Sequence, residues 1–373
     1  MNSAKHRISR RGFTRVLGAT AAYAALNPML PGRLVETGTN ETIVRLSSNE
    51  NPYGPSPAAL KAMTDAFGLA WRYPDEHADM LLANVARFHN VSPDQVLLGN
   101  GSGEILKLAA AAFTGPTRRL VVADPTFEAI ARHASVAKAE TIKVPLTSDY
   151  YHHDLPKMLD QSNVGLTYVC NPNNPTASIT PKSQIRSFLD SVGPSTMVLV
   201  DEAYHHYVES SEYESVIPLV KQRGNLIVAR TFSKIYGMAG LRCGYCVSSP
   251  DLIRQMQAHQ VWDSLNIMAL AAAIASFGDS NHVEQGRLRN HEVKKFVYAE
   301  LQKLGFKWIP SEANFLMIDL QRPSRSVIAA LRDRKVEVGR LFPTMPNFLR
   351  VTIGTKPQME AFCAAFSQIM RSA

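Results

Sequence analysis

The sequence predicts an α/β protein, in which a mostly parallel sheet is sandwiched by helices and is accompanied by a smaller α+β domain. Past residue 40, short runs rich in Val, Ile and Leu alternate with segments of helical periodicity. From about residue 281 this alternation is replaced by runs of helices and strands, as in a separate α+β unit. With 373 residues, 45% of them hydrophobic, the chain is long enough to bury the cores of two packed domains.

Six apolar runs of strand length are predicted to build the larger sheet, and long helical segments separate several of them. Strands that are apolar throughout are typical of a parallel sheet buried on both faces. The predicted strands are 96–98, 119–123, 165–170, 197–201, 226–230 and 244–248. The predicted helices among them include 103–113, 127–136 and 181–192.

The smaller domain is predicted from a long helix at 282–304 and the elements that follow it. These are a strand within 314–320, a helix near 324–334, a strand near 348–353 and a final helix from Pro357. The segment 42–60 is expected to return to this domain. We therefore predict a larger domain over 65–275, and a smaller one from 40–64 together with 276–373.

The positive charge of the chain is concentrated at its start. Of the net +8, residues 1–35 carry +6, because they hold six Lys and Arg and no acidic residue. The remaining +2 gives no electrostatic footprint for nucleic acid, so we expect no nucleic-acid partner. The histidine pairs 152–153 and 205–206 lack the acidic and helical context of a metal site, and no metal is expected.

A leader of residues 1–35 is predicted to direct export. Arg10 and Arg11 precede Gly12 and Phe13, and an alanine-rich apolar run follows at 16–30. This pattern is typical of a twin-arginine signal, whose pathway carries folded proteins. The expected location is the periplasm if the leader is cleaved, or the membrane if the leader is retained as an anchor. No clear cleavage site follows it, so both outcomes stay open. The alternative is a basic tail followed by an amphipathic helix, with the protein cytoplasmic.

Three segments that each follow a predicted strand carry the candidate chemistry. They are 171–176 (Asn-Pro-Asn-Asn-Pro-Thr), 201–204 (Asp-Glu-Ala-Tyr) and 231–234 (Thr-Phe-Ser-Lys), the last followed by Arg242. In open α/β sheets ligands collect at the carboxyl ends of the strands, so the three segments are predicted to converge.

The residue types in these segments suit pyridoxal phosphate. Lys234 supplies an amine for an aldehyde, and hydroxyl groups with Arg242 supply an anion site. An aspartate that ends a buried strand is costly unless it is paired, and a cationic heterocycle is a suitable partner for Asp201. Each feature alone also fits an ordinary ion pair; their conjunction in this order predicts the cofactor.

From about residue 46 to the C-terminus, the chain resembles the fold-type I, class I/II aminotransferases that depend on pyridoxal phosphate. Within them it is most similar to the histidinol-phosphate aminotransferase family. The matching motifs are SNENP at 48–52, RYP at 72–74, GNGS at 99–102, NNPT at 173–176, DEAY at 201–204, TFSK at 231–234, LRCG at 241–244 and LRVTIG at 349–354. Ala177 departs from the family's usual glycine after NNPT, which puts the local turn in question rather than the chemistry.

The resemblance implies a role for each matched residue. Lys234, Asp201 and Tyr204 are the implied catalytic residues: the first bonds covalently to the cofactor and moves protons, and the second pairs with the ring nitrogen. The other implied cofactor-binding residues are Asn174, Phe127, Gly101, Ser102, Gly103, Thr231, Ser233, Arg242 and, reaching into a second subunit of a homodimer, Tyr73. The implied substrate residues are Arg350, Arg340 and Asn51.

The predicted function is transfer of an amino group from an amino donor to a 2-oxo acid. Several alternatives stay open at this point. Phe127 could be a core residue, and Asn49 and Asn51 could form turns. A decarboxylase, lyase or racemase can use the same lysine and aspartate, whereas a non-catalytic binding protein would have no need of Lys234. Histidine synthesis is cytoplasmic and the leader points outward, so donor and acceptor are left open.

Overall fold

The computed structural model describes residues 43–371, in which strands and helices alternate along much of the chain. The strands are Val44–Leu46 (β1), Val96–Gly99 (β2), Arg119–Asp124 (β3), Thr141–Pro145 (β4), Val164–Cys170 (β5), Met197–Asp201 (β6), Leu226–Thr231 (β7), Gly244–Val247 (β8), Lys307–Ile309 (β9), Phe315–Asp319 (β10), Val336–Val338 (β11) and Phe348–Thr352 (β12). The α-helices are Pro57–Ala66 (α1), Asp75–Phe88 (α2), Ser102–Phe113 (α3), Ala129–Val136 (α4), Leu155–Leu159 (α5), Lys182–Ser191 (α6), Pro250–Gln257 (α7), Ile267–Phe277 (α8), Ser280–Lys303 (α9), Ser324–Asp333 (α10) and Lys356–Arg371 (α11).

The large sheet has seven strands in the order β2-β8-β7-β6-β5-β3-β4. Strands β3 to β7 run parallel, and β8 is antiparallel to both of its neighbours. The prediction of a mostly parallel sheet is confirmed, with all six predicted strands found to within one residue at each end. The sequence analysis missed β4, because this edge strand buries only Val144 and so lacks an apolar run.

Helices cover both faces of this sheet, because consecutive residues of its central strands belong to different cores. On β6, Val198 and Val200 join one apolar cluster and Leu199 joins the other. Helices α2, α6 and α8 contribute to the first cluster, and α3 and α7 to the second. Burial of strands on both faces explains their continuous apolar character.

Two small sheets lie in the remainder of the described chain. Strands β9, β10 and β12 form an antiparallel sheet, and β1 pairs in parallel with β11. A third apolar cluster joins β1 to these strands and to α9, α10 and α11. Helix α1 instead packs against α8, next to the large sheet. The segment before the sheet thus contacts both parts, and the boundary between residues 64 and 65 stays a prediction.

The predicted leader, residues 1–35, lies outside the described residues. None of the helices within residues 43–371 is long and apolar enough to cross a membrane.

Candidate active site

A cavity of about 270 Å³ lies where the carboxyl ends of β5, β6 and β7 meet. The three predicted segments converge there, as open α/β sheets require. Its lining residues are Ser48, Asn49, Ser102, Gly103, Phe127, Cys170, Asn174, Asp201, Ala203, Tyr204, Thr231, Ser233, Lys234, Ala239, Arg242 and Arg350.

Lys234 follows β7 and presents its amine to this cavity. The Nζ atom donates to the carbonyl oxygen of Asn49 at 3.2 Å, and it lies 5.5 Å from the centre of the Tyr204 ring. Burial lowers the pKa of Lys234 to about 8, and the positive charge of Arg350 acts in the same direction. About a tenth of this amine is therefore neutral and nucleophilic at pH 7, far more than for an ordinary lysine.

Asp201 ends β6 and is 2% exposed. Its Oδ1 accepts from the backbone amide of Ala203 at 3.1 Å, and its Oδ2 accepts from the Tyr168 hydroxyl at 2.9 Å. Burial raises the pKa of Asp201 to about 6, although both hydrogen bonds and the charge of Lys234 oppose the rise. This carboxylate is buried and both of its hydrogen-bond donors are neutral. A cationic group of a ligand would therefore be a suitable partner for it.

The Tyr204 hydroxyl accepts two amide hydrogen bonds in the cavity. Asn49 Nδ2 donates at 3.1 Å and Asn174 Nδ2 at 3.4 Å. Burial raises the pKa of Tyr204, so the hydroxyl keeps its proton and can donate to an oxygen of a ligand. The Tyr204 ring also packs edge-on against Phe315, which fixes its direction.

An anion site lies at one end of the cavity, at the start of α3. Gly101 precedes this helix without a side-chain cap, so the first amides of the helix, those of Ser102 and Gly103, can bind an anion. Thr231 Oγ1 lies 3.0 Å from Ser233 Oγ, and Arg242 Nη1 lies 3.3 Å from the same oxygen. These residues together present backbone amides, hydroxyls and a guanidinium, which suits a phosphate.

The backbone conformation of Gly101 disfavours any other residue at this position, and Arg242 approaches it closely. Gly101 has φ +74°, and a Cβ atom would lie 2.2 Å from Arg242 Nη2. A side chain there would push the guanidinium away from the anion site. The structure thus places Gly101 behind the cavity wall rather than in it.

Arg350 enters the cavity from β12. Its Nη1 donates to Asn174 Oδ1 at 2.8 Å and its Nη2 to the carbonyl oxygen of Ser47 at 2.7 Å. Its Nε is buried without a hydrogen-bond partner in the described structure. The Arg350 side chain lines the cavity, and the positive charge of its guanidinium suits an anionic group of a ligand.

Besides Gly101, three of the predicted site residues do not line the cavity. Asn51 donates to the carbonyl oxygen of Ile235 at 2.7 Å and accepts from the Tyr53 amide, which is a turn-stabilising arrangement. Arg340 forms an ion pair with Glu128, Nη2 to Oε1 at 2.6 Å, on the surface nearby. Tyr73 has 79% of its surface exposed and borders a different cavity. The ligand contacts assigned to them stay predictions.

Phe127 is 40% exposed and lines the cavity from the loop before α4, so it is not a core residue. Asn49, which the sequence analysis left between a turn and a substrate contact, has φ +55° and also lies in the cavity wall. Sequence reasoning missed Cys170 and Tyr168. Both lie on the predicted strand 165–170, and residues two apart on a strand share one face. The next predicted strand ends in Asp201, so this spacing could have indicated that the two side chains lie near it.

These groups fit pyridoxal phosphate. Within one cavity they provide an amine of lowered pKa, a buried carboxylate for a protonated ring nitrogen and a hydroxyl for a ring oxygen. At the start of α3 they provide the phosphate site, which a side chain on Gly101 would obstruct. The donor set thus has the chemistry that the cofactor needs at each of its polar groups.

Comparisons with known proteins agree with this chemistry. Residues 41–366 match the model of the family described as aminotransferase class I and II. The chain is 39% identical over 358 residues to histidinol-phosphate aminotransferase of Moorella thermoacetica, covering 94% of this chain and 92% of that protein. It is also 39% identical, over 351 residues, to the enzyme of the same name from Symbiobacterium thermophilum, covering 92% and 96%.

A solved structure agrees as well. Histidinol-phosphate aminotransferase from Sinorhizobium meliloti in complex with pyridoxal-5'-phosphate is 25% identical and superimposes with a TM-score of 0.84, covering 92% of this chain and 96% of that chain. The predictions of fold, cofactor and reaction class are confirmed. The chain belongs to the class I and II aminotransferase family, and it is a pyridoxal-phosphate-dependent aminotransferase of fold type I.

Proposed function

We propose that this aminotransferase takes the amino group of histidinol phosphate and passes it to a 2-oxo acid. The observation that carries the proposal is the position of Arg350 in the cavity wall, where its guanidinium supplies a positive charge for an anionic group of the substrate. Arg340 lies close enough for its positive charge to lower the pKa of Arg350, in addition to the larger effect of burial. Arg350, joined by an Arg340 released from its ion pair with Glu128, would suit a dianionic phosphate ester, and the relatives of the chain carry this substrate in their names.

Each of these cavity residues has a separate role in the reaction. Bound here, pyridoxal phosphate supplies an electron sink for the charge that develops on the substrate carbon. Lys234 Nζ would accept the proton from that carbon and donate it again. Asp201 would pair with the protonated ring nitrogen, and Arg350 would orient the anionic group of the substrate. Tyr204 would keep its proton and donate a hydrogen bond from its hydroxyl to the ring oxygen.

A half-reaction screen tests the substrate. Purified enzyme loaded with the cofactor is mixed with single amino donors, and the shift of the cofactor absorbance is followed. Histidinol phosphate should react with a kcat/KM at least about tenfold above that of histidinol, because only the former has an anion for the arginines. Equal rates for the two donors, or a faster reaction with an amino acid, would overturn the substrate assignment.

The same screen separates the rival reactions on this scaffold. A decarboxylase would release carbon dioxide from amino acids, and a racemase would exchange their α-protons, in both cases without leaving the cofactor aminated. A non-catalytic binding protein would bind the donors without any lasting change in absorbance. The presence of Lys234, which a binding protein does not need, favours a catalytic function over a binding one.

A homodimer with shared active sites is part of the proposal. Tyr73 and its neighbours Phe67 and Trp71 expose 79%, 65% and 78% of their surfaces, and Trp262 exposes 91%. Trp71 and Tyr73 border one cavity and Trp262 borders another, and both cavities are lined by Pro74. A cluster of exposed aromatic side chains favours burial against a protein partner, and a second copy of this chain would bring its Tyr73 toward a cofactor phosphate.

Export by the twin-arginine route is proposed for this chain as an alternative to a role in cytoplasmic histidine synthesis, and cell fractionation separates the two. The export proposal rests on Arg10, Arg11 and the apolar run that follows them. In cell fractionation the protein should leave the cytoplasm, and replacing both arginines by lysine should retain it there. An identical distribution for the two proteins would reject the proposal.

A further inference from the structure

Tyr168 reaches Asp201 diagonally across two neighbouring strands. In the pairing of β5 with β6, Cys170 lies beside Asp201 and Tyr168 lies beside Leu199. Tyr168 and Cys170 are two residues apart, so they share one face of β5. Because a tyrosine is long enough to span a diagonal pair, its hydroxyl reaches Asp201 Oδ2 and donates to it at 2.9 Å.

The hydroxyl of Tyr168 is buried and needs a hydrogen-bond partner, which Asp201 provides. The side chain is 0% exposed and belongs to the apolar cluster that includes Leu120 and Val122. A phenylalanine would fill the same space, and a buried hydroxyl costs free energy unless it is hydrogen-bonded. Packing therefore explains the ring of Tyr168 but not its oxygen.

Both oxygens of the Asp201 carboxylate are held, one by each donor. The Ala203 amide binds Oδ1 at 3.1 Å and Tyr168 binds Oδ2, so the carboxylate cannot turn about its terminal bond without breaking one of the two. Burial raises the pKa of Tyr168 well above its usual value, so its hydroxyl remains a donor. A donor of this kind favours the ionised carboxylate.

We propose that Tyr168 is a positioning residue of the reaction, whose hydroxyl keeps the Asp201 carboxylate ionised and oriented toward the protonated ring nitrogen of the cofactor. The inference rests on the proposed role of Asp201. Tyr168 itself lies behind the carboxylate and outside the cavity lining, so it acts through Asp201 alone.

The experiment compares two cofactors that differ at one ring atom. Apoproteins are titrated with pyridoxal phosphate and with its 1-deaza analogue, in which a carbon replaces the ring nitrogen, and both dissociation constants are measured by absorbance. Tyr168→Phe should weaken binding of pyridoxal phosphate about tenfold or more, the effect of one hydrogen bond to a charged group, and leave binding of the analogue within about twofold.

Tyr245→Phe is the matched control. Tyr245 is also buried in the large sheet, and its hydroxyl is bonded to His89 Nε2 at 2.9 Å, away from the cavity. This variant should bind both cofactors as the parent does. In the loaded enzyme, Tyr168→Phe should lower kcat and leave KM nearly unchanged, because substrate contacts are untouched. Circular dichroism and thermal melting verify that each variant folds.

Asp201→Asn tests the role of Asp201 separately from that of Tyr168. The same two cofactors are titrated against this variant. If Asp201→Asn weakened both cofactors alike, the assigned role of Asp201 would be wrong. If Asp201→Asn discriminated between them and Tyr168→Phe did not, Asp201 would keep its role and the inference on Tyr168 would be overturned. Unchanged binding and kcat in Tyr168→Phe would overturn it too.

Discussion

At the scale of single residues, Lys234 shows how burial prepares a group for chemistry. Its amine would be almost fully protonated at neutral pH in water, and in the cavity its pKa is lowered to about 8. The motif Thr-Phe-Ser-Lys identifies the residue, whereas the lowered pKa depends on the surrounding protein.

We expect the rate at which the apoprotein bonds covalently to pyridoxal phosphate to follow the neutral fraction of Lys234. It should rise about tenfold per pH unit below pH 8 and level off above it, because only the unprotonated amine attacks an aldehyde. Stopped-flow absorbance measures the rate. Arg350→Gln should move the midpoint upward, since the charge of Arg350 helps to lower this pKa.

Chemical trapping identifies the lysine independently. Borohydride reduction of the loaded protein should tether the cofactor to the peptide that contains Lys234, and Lys234→Ala should fold but neither tether the cofactor nor transaminate. A label on another lysine, or a midpoint near the ordinary lysine value, would contradict the assignment.

Asp201 is expected to make the stability of the apoprotein fall with rising pH. Burial raises its folded-state pKa from 3.8 to about 6, so the folded protein binds the proton more tightly than the unfolded chain does. The stabilisation is therefore full below about pH 4 and is lost as pH rises through 6, by about 3 kcal/mol for a shift of this size. Asp201→Asn should remove this dependence in urea titrations between about pH 4 and pH 7.

The loaded protein provides the contrast. A cationic ring nitrogen beside the carboxylate favours its ionised form, so bound cofactor should abolish the decline in stability. Parallel stability curves for parent and Asp201→Asn apoproteins would mean that Asp201 does not titrate in this range.

Ala177 stands where the family usually has glycine, and the structure shows the turn that it forms. It adopts φ +59°, the left-handed region that favours glycine, and its amide still donates to the Asn173 carbonyl oxygen at 2.8 Å. The turn therefore closes with an alanine in place, at a cost of about 1–2 kcal/mol for the unfavourable backbone conformation.

At the scale of elements, the ends of β6 and β7 are joined beneath the site by a buried ion pair. Arg230, next to the last residue of β7, donates from Nε to Glu202 Oε2 at 2.8 Å, and the two side chains are 5% and 1% exposed. Glu202 also accepts from the Val216 amide at 2.8 Å. The pair fixes the strand ends that carry Asp201 and Thr231.

We expect Arg230→Met to lower the free energy of unfolding by about 3–5 kcal/mol, because it leaves the Glu202 carboxylate buried without its counter-ion. Adding Glu202→Gln should restore part of the loss, since the neutral amide needs no ion partner. Urea denaturation measures both. The matched control Arg254→Met removes an exposed pair with Asp251 and should leave the unfolding midpoint unchanged. Equal effects at the two arginines would contradict this account.

At the scale of the whole molecule, the proposed dimer makes the activity of one chain depend on another. Tyr73 lies outside the cavity of its own chain, so each active site would need a tyrosine from the second copy.

Mixing two inactive variants should therefore restore activity. In a dimer of Tyr73→Ala with Lys234→Ala, one site collects both lesions and the other collects neither, so about half of the mixed dimers' sites regain full rate. Activity is measured after subunit exchange, which sedimentation of differently labelled chains verifies. No recovery despite proven exchange, or an active monomer, would reject the shared site.

The sequence determined the large sheet and the identity of the residues at its carboxyl edge. Strands buried on both faces must be apolar throughout, so six of the seven strands of this sheet could be predicted from short apolar runs in the sequence. The three polar segments had to converge, because parallel strands bring their carboxyl ends to one edge. The edge strand β4 was missed, since only one of its residues is buried.

Only the tertiary structure decided which residues touch in the site. Asn49 and Asn51 stand in one motif, yet the backbone sends Asn49 to Tyr204 and Asn51 to the carbonyl of Ile235. The bond from Tyr168 to Asp201 likewise depends on the register of β5 and β6. Strand register and backbone direction follow from packing of the whole chain, and burial then sets the pKa values of Lys234 and Asp201, so neither can be read from local sequence.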